Sequence, residues 1–175
     1  MGFEYRIKDQ FAVHFITITV NQWVDVFTRN CYSDILIESL KYCQKNKGLK
    51  IYSWVIMTNH LHLVVSSDKG DLSGILRDFK KYTSSKIIQA IEDNDKESRK
   101  KWLLWLLKDG DKNKLWTKGY HAKEIMSKEF MEQKIDYIHF NPVKAGIVEC
   151  EEYYSNSSCA KIYGMGESVL ELSEY

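Results

Sequence analysis

The sequence predicts an α+β fold, an antiparallel sheet with helices packed against it. Three observations carry this. Residues 14–20 and 51–57 are rich in β-branched and aromatic side chains, as strands are. Three longer segments, beginning near Ser33, Asp71 and Ser127, repeat apolar residues at three- and four-residue intervals, as amphipathic helices do. Their order along the chain is strand, helix, strand, strand, helix, strand, helix. That order is a ferredoxin-like split arrangement with one added C-terminal helix.

Each element follows from its residues. His14-Phe15-Ile16-Thr17-Ile18-Thr19-Val20 alternates and reads as the first strand. Residues 33–47 set Ile35, Leu36, Leu40 and Cys43 on one helix face, and Gly48 supplies the terminating glycine. Residues 51–57 and 61–65 form the second and third strands, with Thr58 and Asn59 near the turn between them. Asp71 or Ser73 caps a helix to about Ile91, whose apolar positions include Leu72, Ile75, Leu76, Phe79, Ile87 and Ile88. The charged residues 92–101 read as a loop or mobile connector, and 102–107 as a short apolar run of either type. Residues 114–125 carry the fourth strand. Ser127 caps the last helix, expected to end near Phe140 because Pro142 disfavours helical geometry at Asn141. Two helices are thus expected on one sheet face, with the added helix packing through Met131, Ile135 and Ile138.

Composition sets bounds. The 175 residues suffice for one core, read as a single domain over 1–175. At 44% hydrophobic and 28% charged the chain is ordinary for a globular protein. No run of about 18 apolar residues exists to span a membrane. The opening Met1-Gly2-Phe3-Glu4-Tyr5-Arg6 lacks the basic-then-apolar order of a signal peptide. Cys31, Cys43, Cys150 and Cys159 show no Cys-x-x-Cys spacing and read as free thiols in a reducing cytoplasm.

Two clusters carry chemistry. The first is Trp54-Val55-Ile56-Met57-Thr58-Asn59-His60-Leu61-His62-Leu63-Val64-Val65. Side chains two apart on a strand share a face, so His60 and His62 project together, as half of a divalent metal site. The plainer reading is a pair of histidines without a ligand. The second cluster lies on the last helix, where Phe130, Lys134, Tyr137 and Asn141 form one stripe. A tyrosine there is ordinarily a core-rim residue whose hydroxyl reaches water.

Net charge, at +1, neither favours nor excludes nucleic acid. Between Arg77 and Lys118, however, twelve Lys or Arg stand against seven Asp or Glu, interleaved with Phe79, Tyr82, Trp102, Trp105 and Trp116. Such a stretch, including Lys80 and Lys81, suits single-stranded nucleic acid; the alternative is a solvated helix face.

Taken in order, these stretches resemble the HUH endonucleases, which carry histidine, apolar residue, histidine on a strand and a nucleophilic tyrosine on a separate helix. Specifically, Tyr137-Ile138-His139-Phe140-Asn141-Pro142-Val143-Lys144-Ala145-Gly146 looks like the signature of the single-tyrosine, REP-associated transposases. So do Trp116-Thr117-Lys118-Gly119-Tyr120-His121 and Tyr154-Ser155-Asn156-Ser157-Ser158. The resemblance runs from about Phe11 to Gly164 and departs at Thr58, where relatives usually have proline.

The resemblance implies a function. A divalent metal, Mg²⁺ or Mn²⁺, polarises the scissile phosphate of hairpin-containing single-stranded DNA, and Tyr137 attacks to leave a 5′-phosphotyrosine and a free 3′-hydroxyl. A free phenol, with a pKa of about 10, needs such an activator. His60 and His62 would hold the metal, with Asn141 at the position of a polar third ligand. Apart from the resemblance, helix spacing would let Lys134 steady the phosphate, and the basic stretch offers Lys80 and Lys81 as further DNA contacts. The protein would act in the cytoplasm at the nucleoid, without a membrane partner, as a monomer or homodimer.

Three alternatives stand beside this reading. Tyr82, between lysines on the preceding helix, could be the nucleophile, although Lys86 rather than Asn or Gln follows four residues later. The chain could bind DNA hairpins without cutting. A metal hydrolase using activated water would need a general base near the histidines, and Asp68 is the only acid beside their strand.

Overall fold

Alternation of β-branched residues builds the centre of the sheet. The computed structural model describes residues 6–175, so Met1 to Tyr5, read above for a signal peptide, lie outside the described residues. Strands β1 (His14–Thr19), β2 (Leu49–Ile56), β3 (His60–Ser67) and β6 (His121–Glu124) form one sheet in the order β2-β3-β1-β6, every neighbour antiparallel. A two-residue hairpin, β4 (Lys108–Asp109) with β5 (Lys112–Asn113), stands apart.

Parity along the strands divides two layers. Ile16, Ile18, Ile51, Trp54, Ile56, Leu61, Leu63 and Val65 face the main core. There they meet α1 (Asn30–Lys47) through Leu36 and Leu40, and α2 (Leu72–Asp93) through Ile75, Leu76 and Phe79. Val55, Met57 and Val64 point the other way, onto Met131, Ile135 and Ile138 of α4 (Lys128–Lys144). The sheet is therefore a ferredoxin-like layer with two helices on one face and the added helix on the other.

Helix ends follow local chemistry. Gly48 closes α1 at a φ of 73°, a left-handed conformation that a side chain would resist. Asp71 caps α2, accepting from the Gly74 amide, and Ser127 caps α4, accepting from Phe130. The fourth strand occupies only residues 121–124 of the expected range.

Two expectations are corrected. Helix α4 does not stop near Phe140 but continues through a buried Pro142 to Lys144. The proline lies in the last turn, where the loss of one amide donor disrupts little. Residues 92–101 are not a loose connector, since α2 runs into the segment and α3 (Lys100–Leu106) begins within it. Between them Glu97, with a fully buried side chain, accepts from Arg29 Nε at 2.7 Å and Arg99 Nε at 3.1 Å. The Arg99 hydrogen bond foremost holds this carboxyl at a pKa of about 2.

The chain's last segment closes one sheet edge. Asn156 accepts from the Ile56 amide, Ser158 bonds Trp54 in both directions, and the Ser173 amide donates to Ile51. Buried Cys159 and Leu170 anchor it. All four cysteines are free thiols. No helix among the described residues is long and apolar enough to cross a membrane.

Candidate active site

Parity puts His60 and His62 on the α4 side of β3, their ring centroids 4.7 Å apart. Each imidazole is oriented by its Nδ1. His60 Nδ1–H donates to Asn59 Oδ1 at 2.7 Å, which leaves the lone pair on Nε2. Thr17, directly opposite on β1, has its hydroxyl 2.8 Å from His62 Nδ1. His62 Nε2 is buried and has no hydrogen-bond partner among the described residues. A buried imidazole nitrogen without a partner is unusual, because desolvating it is costly. Burial lowers the pKa of both rings, that of His62 to about 3 with help from His60 and Lys134. Both are therefore neutral at pH 7, the state in which imidazole ligates.

The tyrosine comes from α4. Tyr137 is 42% exposed, and its ring lies 5.3 Å from His62 and 5.8 Å from Phe15, edge-on to both. Phe15 stacks on His62 at 5.2 Å and forms the floor beside it. One turn before Tyr137, Lys134 Nζ sits 4.9 Å from the Phe15 ring, 5.2 Å from Phe130 and 5.4 Å from Tyr137. Lys123 on β6 approaches Phe130 at 4.8 Å. Burial, then Lys123, lowers the Lys134 pKa. Neither lysine pairs with a carboxylate among the described residues. One turn after Tyr137, Asn141 is half-buried, and its side-chain amide makes no hydrogen bond to a described residue.

The roll of α4 is set by buried His139, whose Nε2 lies 3.2 Å from Ser53 Oγ and 3.0 Å from Ser158 Oγ. A register shift between Ile51 and Ser53 turns Ser53 toward the helix. The loop after β1 borders the pair on the far side. There Gln22 and Trp23 adopt φ of 57° and 54°, each costing on the order of 1–3 kcal/mol in a non-glycine residue.

Other sequence candidates lie elsewhere. Tyr82 is exposed on α2, in the layer across the sheet from the histidines. Lys80 does not present its ammonium to solvent. Its Nζ donates to the Thr117 carbonyl at 2.9 Å and to the Gly119 carbonyl, and burial brings its pKa to about 8. It ties α2 to the segment leading into β6, and a phosphate contact would have to displace those bonds. Lys81 is exposed on the same helix. Asp68 follows the end of β3 away from His60 and His62, beside Gly48.

Thr17, Asn59, Phe15, Lys123 and Trp23 complete the surroundings of the pair. Of these only Asn59 was signalled in the sequence, by its place next to His60. Two oriented imidazoles could supply two nitrogens to one divalent ion, and the unpartnered His62 Nε2 fits that use. Among the described residues no third His, Cys, Asp or Glu joins them.

A ferredoxin-like sheet with paired histidines under a helix-borne tyrosine is the layout of a single-tyrosine transposase. The profile of the family described as IS200-like transposases matches residues 7–141. The chain belongs to that family. No curated protein sequence matches it. Among solved structures, a REP-associated tyrosine transposase bound to a REP hairpin aligns with a TM-score of 0.69 at 19% identity, over 100% of this chain and 95% of that one. The two share a fold. A structure from Deinococcus radiodurans R1 aligns at a TM-score of only 0.47 and 15% identity, over 79% of this chain and 95% of that one, too loosely to bear on the fold.

Proposed function

We propose that the protein is a metal-dependent endonuclease and strand transferase for single-stranded DNA, acting in the cytoplasm on hairpin-containing genomic sequence. The observation that carries this is His62 Nε2, buried, unpartnered and beside the Tyr137 ring. His60, His62 and the Asn141 amide oxygen would hold a Mg²⁺ or Mn²⁺ ion, which when bound supplies Lewis acidity at a phosphoryl oxygen. Tyr137 Oη bonds to phosphorus as the bond from phosphorus to the 3′-oxygen breaks. The phenolic proton is given up, the 3′-oxygen takes one, and a 5′-phosphotyrosine remains. The number of phosphodiester bonds is conserved, so the 3′-hydroxyl can reverse the step without a nucleotide cofactor. Lys134, with Lys123 behind it, offsets phosphate charge.

The solved structure of similar fold is bound to a DNA hairpin, which supports a hairpin substrate here. A second reading, a hairpin-binding protein derived from a transposase that no longer cuts, would leave the same surface but no use for the unpartnered nitrogen. Incubation with a single-stranded hairpin oligonucleotide and Mg²⁺ or Mn²⁺, followed by a denaturing gel, separates them. A shifted covalent adduct is expected, and its absence with every divalent ion would establish the non-cutting reading.

A further inference from the structure

Trp23 serves no purpose in the core. Its indole is 64% exposed, whereas tryptophan normally buries most of its surface. It and Gln22 hold a left-handed backbone that side chains avoid. The loop is fastened on both sides: Val20 donates to the Asn59 carbonyl at 2.8 Å, Asn21 to Leu115 at 2.7 Å, and Asn59 Nδ2 reaches Asp25 Oδ1 at 3.0 Å and the Trp23 carbonyl at 3.3 Å. The same Asn59 side chain orients His60. One residue thus fixes both an imidazole and the backbone that carries the indole. The indole lies 5.9 Å from His60 at 67°, so at most one of its faces is occupied. Ring contacts run in succession along a line of neighbours, Trp23 to His60, His60 to His62 and His62 to Tyr137. A strained turn kept at two successive residues, whose outcome is an open aromatic face at the end of that line, points to a ligand that stacks.

We propose that Trp23 is a stacking platform for one nucleobase of single-stranded DNA, on the nucleotide flanking the scissile phosphate at the His60 end of the site. This rests on the reading of the site as one for single-stranded DNA. Stacking on an aromatic ring tolerates any base and gives grip without reading sequence. Lys134 and Lys123 stand at the opposite end, so the strand would be held by a ring before the reacting phosphate and by charge after it.

The test uses hairpin oligonucleotides with 2-aminopurine walked along the single-stranded flank, titrated with the full chain in the absence of metal so that no cleavage occurs. One position should be quenched on binding. Trp23→Phe should retain much of the quenching, and Trp23→Leu and Trp23→Gly should abolish it, with affinity falling roughly 5- to 100-fold. Trp23→Gly guards against a folding artefact. Glycine accepts the positive φ, so this variant should melt no earlier than wild type while losing the base. Wild-type affinity and quenching in Trp23→Gly would overturn the proposal. If wild type quenches through Trp23 yet forms no covalent adduct with any divalent ion, the cleavage reading fails and the platform stands. If the adduct forms and no position depends on Trp23, the platform alone fails.

Discussion

Thr17 and His62 sit directly opposite one another on β1 and β3, hydroxyl to Nδ1 at 2.8 Å. With the hydroxyl accepting from Nδ1–H, the ring is held in the tautomer that leaves Nε2 free to ligate. Thr17→Val keeps the shape of the side chain and removes the oxygen. Mn²⁺ affinity should fall about 10- to 100-fold by calorimetry, and adduct formation with it, while the melting temperature moves little.

Tyr137→Phe keeps the ring against His62 and Phe15 and removes only the hydroxyl. Covalent adduct should vanish while hairpin binding persists. Tyr82→Phe, across the sheet, should leave the adduct intact. Peptide mapping of the wild-type adduct checks the assignment, and DNA found on the Tyr82 peptide would refute it.

Lys134 and Lys80 should separate by salt dependence. Lys134→Ala should lower the slope of log affinity against log salt by about 0.7, as loss of one phosphate contact on a single strand does. Lys80→Ala should leave that slope alone and cost about 2 kcal/mol in urea unfolding, since its two carbonyl bonds are structural.

Glu97 should govern acid stability. Its folded pKa, about 2, lies below the ordinary glutamate value of 4.5, so its contribution is whole above pH 4.5 and drains away as pH falls toward 2. Glu97→Ala should cost on the order of 2–3 kcal/mol at pH 7, tempered because Arg29 and Arg99 can rehydrate, and should flatten the acid limb of the stability profile.

What was legible in the sequence was whatever depends on local period. The shared face of His60 and His62 follows from a period of two, and the one-turn separations among Lys134, Tyr137 and Asn141 follow from a period of three to four. Strand order was legible because the succession of elements admits few topologies. Thr17 was not, because its role depends on the register between two strands 45 residues apart, which no single sequence prints. Glu97 looked like one more charge in a polar run, since its burial arises only when Arg29, 68 residues away, closes over it. Lys80 looked like a free cation for the same reason in reverse, since the carbonyls it donates to come near only on folding. Pro142 misled because the rule that it ends a helix presumes there is much helix left to lose.

The return of residues 156–173 along β2 has a consequence for assembly. Outward-facing amides and carbonyls at Ile51, Trp54 and Ile56 are already taken by the chain's own tail. An unoccupied strand edge is what lets sheets fuse between molecules, and here that seam is sewn shut from within. A pair of these molecules could not grow a continuous sheet through β2 unless the tail first let go. Any twofold partnership must then be made through other surfaces, or each copy stands alone.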